Sequence, residues 1–336
     1  MNIELSEQRI KDMFSTGEAC QWAKNVYHKI ELSEEEKAFS QVVNDMVNEA
    51  WKFNKTDAKE SIAQLVGKII EPEIFESPNE ILEQIFDDMG SVGEFDMVKV
   101  RNSPKNTLVA RQSARRTGNV DKSYIDVTIG EVLETHLQIE TELKMSDLRR
   151  DGAFGVAELT MFAIEEFNRT MFKIILDFAD KLIVDGGKNY QGVTGAITEN
   201  AVNALTGYVY DNCFEGTPEV VGLSNNIREM CKAKGDKFMS NTMKDELNNI
   251  NVLQVLDGVK LVPIKAGKKT GDGQTLLPEK KIFGFCGKIG SMYKKGEMRS
   301  MSTDNNNDET ISLKFTGVEF GVCVTKPEKM FKLEIK

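Results

Sequence analysis

The sequence predicts an α+β fold with the reach of an elongated plate, not a ball around a cleft. Three stretches predict it. From Gly155 to Val184 no Pro or Gly intervenes after Gly155, and apolar residues recur at Val156, Leu159, Ala163, Phe167, Ile174, Phe178 and Leu182. That spacing is helical. Glu165/Arg169 and Lys173/Asp177 stand as opposite-charge i,i+4 pairs on another stripe, and Asp185-Gly186-Gly187 supplies the stop. At 1.5 Å per residue the helix is about 40 Å long. From Leu133 to Met145 the alternation is strict, with Leu133, Thr135, Leu137, Ile139, Thr141, Leu143 and Met145 on one face and Glu134, His136, Gln138, Glu140, Glu142 and Lys144 on the other. This half-buried strand also spans about 40 Å. A third stretch, Ile311 to Val324, alternates in one phase through Phe315 and in the other from Val318, and the slip at Thr316-Gly317 predicts a bulge.

The remaining elements follow in order. Residues 1–94 read as helices with an acidic surplus. Ser33-Glu34-Glu35-Glu36 is a capping box opening a helix toward Trp51 and Phe53. Ser77-Pro78-Asn79-Glu80 is a second one, opening a helix through Ile81, Leu82, Ile85 and Phe86 that closes at Gly90. This region is expected either as a small helical domain or as an arm that packs on a neighbour, because several of its helices are short and need a surface. Residues 95–124 carry Lys99, Arg101, Lys105, Arg111, Arg115, Arg116 and Lys122 against only Asp96 and Asp121. With turn chemistry at Asn102-Ser103-Pro104 and Thr117-Gly118-Asn119, they predict a projecting basic β-hairpin. Residues 188 to about 285 predict a mixed α/β domain. It has a helix from Thr217-Pro218 to Gly235, a short helix over 241–247, a hairpin at Asp257-Gly258, a polar Gly/Lys loop over 266–274 and a strand over 281–286. Residues 287–309 read as irregular. Pro327 ends the long strand, and Met330 to Ile335 make a last one.

Composition bounds function. A chain of 336 residues, 40% apolar, builds a real interior. A net charge of −10 argues against wholesale nucleic-acid binding. The five cysteines, Cys20, Cys213, Cys231, Cys286 and Cys323, are odd in number and scattered, which fits reduced thiols. The opening residues lack an apolar core for a secretory signal, and no apolar run approaches the roughly 20 residues of a membrane span. No membrane partner is expected.

Motifs for chemistry are missing. His28 and His136 are the only histidines, and neither has a context that marks a nucleophile or metal site. Gly267-Lys268-Lys269-Thr270 fails as a phosphate loop, because Val262 stands where Gly is needed and Lys269 where Ser or Thr is. Asp304, Asn306 and Asp308 have calcium-like spacing, but Glu309 and Phe315 occupy the positions that require Gly and Glu. The expectation is no enzyme, no cofactor and no metal.

The order of parts resembles the major capsid proteins of tailed phages with the Hong Kong 97-type shell fold, which encapsulins share. Arg101 to Lys122 corresponds to the extended loop and Ser146-Asp147-Leu148 to the turn after the long strand. Gly155 to Val184 corresponds to the spine helix and Asp185-Gly186-Gly187 with Gly192-Val193 to the glycine-rich exit. Lys281-Ile282-Phe283-Gly284-Phe285 matches a late apolar-Phe-Gly strand, and 311–325 with 331–335 the closing strands. Arg149-Arg150-Asp151 departs from the family's usual second acid. The resemblance implies an N-terminal helical arm over 1–94 and an extended loop over 95–130. It implies a peripheral domain over 131–187 and 286–324 with the spine at 155–184, and an axial domain over 188–285 and 325–336. It further implies a shell subunit located in the virion and assembled in the host bacterial cytoplasm. Many copies, as hexamers and pentamers, would meet portal and scaffold proteins, with a decoration protein as a further partner, and enclose double-stranded DNA without sequence-specific binding. Arg101, Lys105, Arg111, Arg115 and Arg116 are the expected intersubunit contacts. The alternatives are an encapsulin-type compartment shell and, from another class, a soluble cytosolic enzyme or adapter.

Overall fold

In a computed structural model, the predicted long helix spans Ala153–Leu182 (30 residues) and the strand before it Glu131–Lys144 (14 residues). The structure describes residues 6–53, 56–76, 80–93, 103–105, 126–128, 131–213, 216–235, 240, 242–245, 253–305 and 310–336. The architecture is α+β, with two main sheets against one long helix.

In chain order the elements are α1 (Glu7–Ser15), α2 (Glu18–Tyr27), α3 (Glu34–Phe53), α4 (Thr56–Glu76), α5 (Glu80–Ile85), β1 (Phe86–Val92), β2 (Ser103–Lys105), β3 (Asp126–Thr128) and β4 (Glu131–Lys144). Then come α6 (Met145–Asp151), α7 (Ala153–Leu182), β5 (Tyr190–Val193), α8 (Glu199–Asp211), β6 (Pro218–Leu223), α9 (Ser224–Ala233), β7 (Val255–Leu256) and β8 (Val259–Ile264). The chain closes with β9 (Lys281–Cys286), β10 (Gly290–Lys295), β11 (Arg299–Asn305), β12 (Thr310–Val324) and β13 (Met330–Ile335).

The first sheet is organised on β12. β4 runs antiparallel along one edge of it, while β10 and then β11 share the other. The predicted bulge is present: pairing with β4 shifts between Phe315 and Val318. Gly317 sits there at φ +86, with the Glu297 carbonyl so near that an added Cβ would lie 2.5 Å from it. The bulge keeps Ile311, Leu313 and Phe315 buried before it and Val318, Phe320 and Val322 buried after it. β1 extends this sheet, parallel to β10.

The second sheet runs β5-β13-β9-β6-β8-β7. Its central strands are buried on both faces. Val220 and Ile282 face the core shared with α8 and α9, while Val221, Phe283 and Phe285 face the core that contains α7. This explains one correction. Residues 218–223, expected as the start of a helix, are the central strand β6, and the helix begins only at Ser224. A run apolar on both faces has no period to read, and Pro218 is tolerated because it opens the strand. Residues 287–309, expected as irregular, supply β10 and β11, whose polar side chains hide strands held by β12. The helix expected to reach Gly90 stops at Ile85, because Phe86 to Val92 pair with β10. Ser146-Asp147-Leu148 lies inside the helix α6, not in a turn.

The capping box at Ser33 forms as expected: the Ser33 amide donates to Glu36 Oε2 at 2.7 Å and the Glu36 amide to Ser33 Oγ at 3.2 Å. The second box at 77–80 falls largely outside the described residues. The N-terminal helices do not stand apart as an arm. Trp22, Phe39, Val43, Val66, Ile69 and Ile70 are buried in the same core as Phe167, Met171 and Ile175 of α7. Their apolar stripes are wide enough to need a partner, and α7 with the first sheet provides it within the chain.

Candidate functional site

Among the described residues, no group of three or more His, Cys, Asp or Glu is placed to hold a metal ion. No described helix is long and apolar enough to cross a membrane. His28 follows α2 with its ring against Tyr27, and His136 Nδ1 lies 3.2 Å from Glu319 Oε1 on the exposed side of the first sheet. No chemistry converges on either.

Of the five basic residues expected at subunit contacts, Arg101, Arg111, Arg115 and Arg116 lie outside the described residues. Lys105 ends β2, opposite Asp126 of β3. β2 and β3 pair antiparallel, so the two ends of the basic stretch lie side by side.

Three groups of polar and charged contacts tie the described elements together. The first crosses the outer face of the first sheet. Tyr293, itself buried, donates its hydroxyl to Glu134 Oε1 at 2.8 Å, and Lys295 Nζ lies 3.2 Å from Glu134 Oε2. The Tyr293 hydroxyl bond, then that from Lys295, holds the Glu134 carboxyl below its ordinary pKa, while burial first and Glu134 second push the Tyr293 pKa up.

The second group joins the end of α7 to the second sheet. Lys332 of β13 is 5% exposed, yet its Nζ donates to the Ile183 carbonyl at 3.2 Å and lies 3.2 Å from both Asp180 and Asp185. A cation against the last carbonyls of a helix is favoured by the helix dipole. Lys281 of β9 reaches Asp180 Oδ2 at 2.6 Å, and Tyr190 donates to Glu334 Oε2 at 2.6 Å. Burial works to lower the Lys332 pKa, but Asp180 and Asp185 outweigh it and the pKa is raised. The sequence gives no sign of this joint, because Lys332 reads as the outward residue of an alternating strand.

The third group pins the other ends of the long helices. Asn44 of α3 accepts from the Ala153 amide at 2.8 Å, capping α7 across 109 residues of sequence. Gly152 precedes it at φ 54 and ψ −129. Arg149 lies 5.2 Å from the Trp51 ring. Glu71 of α4 accepts from Lys294 Nζ at 2.6 Å and the Met298 amide at 3.3 Å. These contacts place the N-terminal helices, α7 and the first sheet in one rigid slab. None has a local sequence signature, since the partners lie 98 to 227 residues apart.

No family model matches the chain, and no curated protein matches it. Solved structures do match. The capsid of cyanophage P-SCSP1u aligns at a TM-score of 0.44 and 12% identity over 75% of this chain and 88% of that one. The mature capsid asymmetric unit of bacteriophage PhiM1 aligns at 0.42 and 10%, over 74% and 85%. A virus-like particle from Pyrococcus furiosus aligns at 0.38 and 9%, over 83% and 99%. This chain is similar to solved capsid structures. At these scores the overlap is partial, and the functional reading rests on the chain's own architecture.

Proposed function

We propose that this chain is the structural subunit of a tailed-phage head of Hong Kong 97-like build, in which many copies close an icosahedral shell around double-stranded DNA. The observation that carries the reading is the slab. α7, about 45 Å long at 30 residues, lies with the 14-residue β4 and the 15-residue β12. Such a plate offers long faces on which copies can be tiled side by side. In this reading residues 131–187 and 286–324 form the peripheral part around the spine, joined by β1. Residues 188–285 and 325–336 form the axial part. The basic stretch within 95–130 reaches a neighbouring copy through Arg101, Lys105, Arg111, Arg115 and Arg116, drawn to acidic surface on a chain of net charge −10. Such heterologous contacts repeat around a closed shell. The same negative charge keeps the shell wall from gripping its DNA. The role is structural, in the virion. Assembly in the host cytoplasm with portal and scaffold proteins belongs to the same proposal, with decoration proteins as further partners.

Negative-stain microscopy of the purified protein tests it. Closed shells of uniform diameter are expected, and the Arg115→Glu/Arg116→Glu double variant should stay soluble yet form none. A rigid monomer, or shells unchanged by the charge reversal, would overturn the assignment of these contacts.

A further inference from the structure

The polar Gly/Lys loop that fails as a phosphate loop has a defined place in the fold. It folds back over the middle of α7. The Gly271 amide donates to Glu166 Oε1 at 2.6 Å, Arg169 Nη1 donates to the Lys269 carbonyl at 3.2 Å, and Lys269 and Thr275 form a bridge across the loop. Beneath it lies a cavity of about 390 Å³, walled by α7, α5, the end of β8 and the loop itself. That volume is within the range of small-molecule sites, about 300–1,000 Å³.

The lining has two halves. Phe172, Ile264, Leu276 and Ile81 make an apolar floor, in which Phe172, Ile264 and Leu276 are buried. Arg169, Lys265 and Lys268 stand around it with one acid, Glu165, which is already paired with Arg169. Glu166, the next acid along α7, is occupied by the Gly271 amide and the Thr170 hydroxyl. Near the same helix, Lys173, Lys281 and Lys332 each reach an acid. Lys265 and Lys268 have no ion-pair partner among the described residues. Two uncompensated cations beside an apolar floor, on a chain of net charge −10, make a local reversal of sign in a concave site.

We propose that this cavity binds a small amphipathic anion. Its apolar body would rest on Phe172, Ile264 and Leu276, and its carboxylate, sulfonate or phosphate head would meet Lys265 and Lys268, with Arg169 behind them. The pinned loop holds the site open before binding, so little ordering is needed. The inference is independent of shell assembly and stands or falls without it.

The probe is 8-anilinonaphthalene-1-sulfonate, an anion with an aromatic body, titrated against the full-length chain and followed by fluorescence. Saturable binding at one site per chain is expected. Lys265→Glu/Lys268→Glu should weaken it by about tenfold or more, as reversal of a matched charge does, and Lys265→Gln/Lys268→Gln serves if the reversal impairs folding. Decanoate should displace the probe and 1-decanol, with the same body and no charge, should not. Binding untouched by the lysine variants, or equal displacement by decanol, would overturn the proposal.

Discussion

Replacing Asn44 by alanine removes one hydrogen bond, yet the structure gives that bond a long reach. Asn44 Oδ1 is the acceptor for the first amide of α7, and Ala153, which carries that amide, is only 7% exposed. Loss of a capping side chain costs about 0.5–2 kcal/mol, and a buried amide left without a partner costs about 1–3 kcal/mol. Half-burial of Asn44 lets water recover part of this, so a loss of about 1–2 kcal/mol is expected. Asn44→Asp keeps the acceptor and adds a negative charge at the helix N-terminus, worth about 0.3–1 kcal/mol. The predicted order is therefore Asp at or above wild type, and Ala below both. Gly152→Ala provides an internal check. Its backbone is strained for any other residue, and an added Cβ would lie 2.3 Å from Asn44 Oδ1. In the Asn44→Ala background that clash disappears, so the double variant should lose less than the sum of the singles. Urea unfolding followed by circular dichroism, on subunits kept dissociated so that assembly does not add stability, reads the four variants against wild type. Asn44→Ala indistinguishable from wild type, or Asn44→Asp less stable than Asn44→Ala, would refute the cap.

Two further outcomes follow from the same contacts. Glu36 is half-buried, which alone would raise its pKa, but the Ser33 amide, Asn25 and the Ser33 hydroxyl outweigh this and hold it below its ordinary 4.5; Glu134 is lowered by Tyr293 and Lys295. Both therefore contribute stability that is complete above pH 4.5 and lost as pH falls through their folded values. Glu36→Gln should flatten the decline in urea midpoint below pH 4.5, and an unchanged slope would count against the capping box as an ionic contact. Among the cysteines only Cys213 is half-exposed, while burial first, with Glu73 in the case of Cys20, pushes Cys20 and Cys286 up to about 12. Ellman's reagent at pH 8 should find one fast thiol in the folded chain, lost in Cys213→Ser. A second fast thiol traced to Cys20 would mean that α2 is not packed as described.

How much of this was readable from the sequence depends on whether a signal is local. The helix over 155–184, the strand over 133–145 and the bulge at Thr316-Gly317 each carry their own period, and the structure reproduces them within two residues. β6 was unreadable as a strand because both its faces are buried, so the residues that alternate in space do not alternate in polarity. β1, β10 and β11 were missed for the opposite reason. Gly290-Ser291 and Arg299-Ser300 have no strand preference, and it is the neighbouring strands, β12 for both and β1 for Gly290-Ser291, that hold them extended. The charged joint around Lys332 and the cap from Asn44 were out of reach, since each needs two distant parts of the chain already placed.

The N-terminal region shows what such long-range closure means for assembly. Read by itself, an acidic run of short helices looks detachable, and a detachable arm would leave the remaining fold intact when removed. Here the reverse holds. Trp22 is fully buried with its indole nitrogen donating to Ser40 Oγ at 2.8 Å, and its ring meets Phe39 edge-on at 4.8 Å. Val66, Ile69 and Ile70 of α4 share the core of α7, and β1 supplies a strand of the first sheet with the Ile289 amide donating to the Ile85 carbonyl at 2.8 Å. Cutting between β1 and the basic stretch and releasing residues 6–92 would expose one flank of α7 and unpair an edge of β10. Each large side chain stripped of its cover costs about 1.5–3 kcal/mol, and several are involved, against a total stability of about 5–15 kcal/mol for a typical domain. In the shell reading, then, these helices belong to the wall of each subunit, and the basic stretch that follows them is the part left to bind its neighbours.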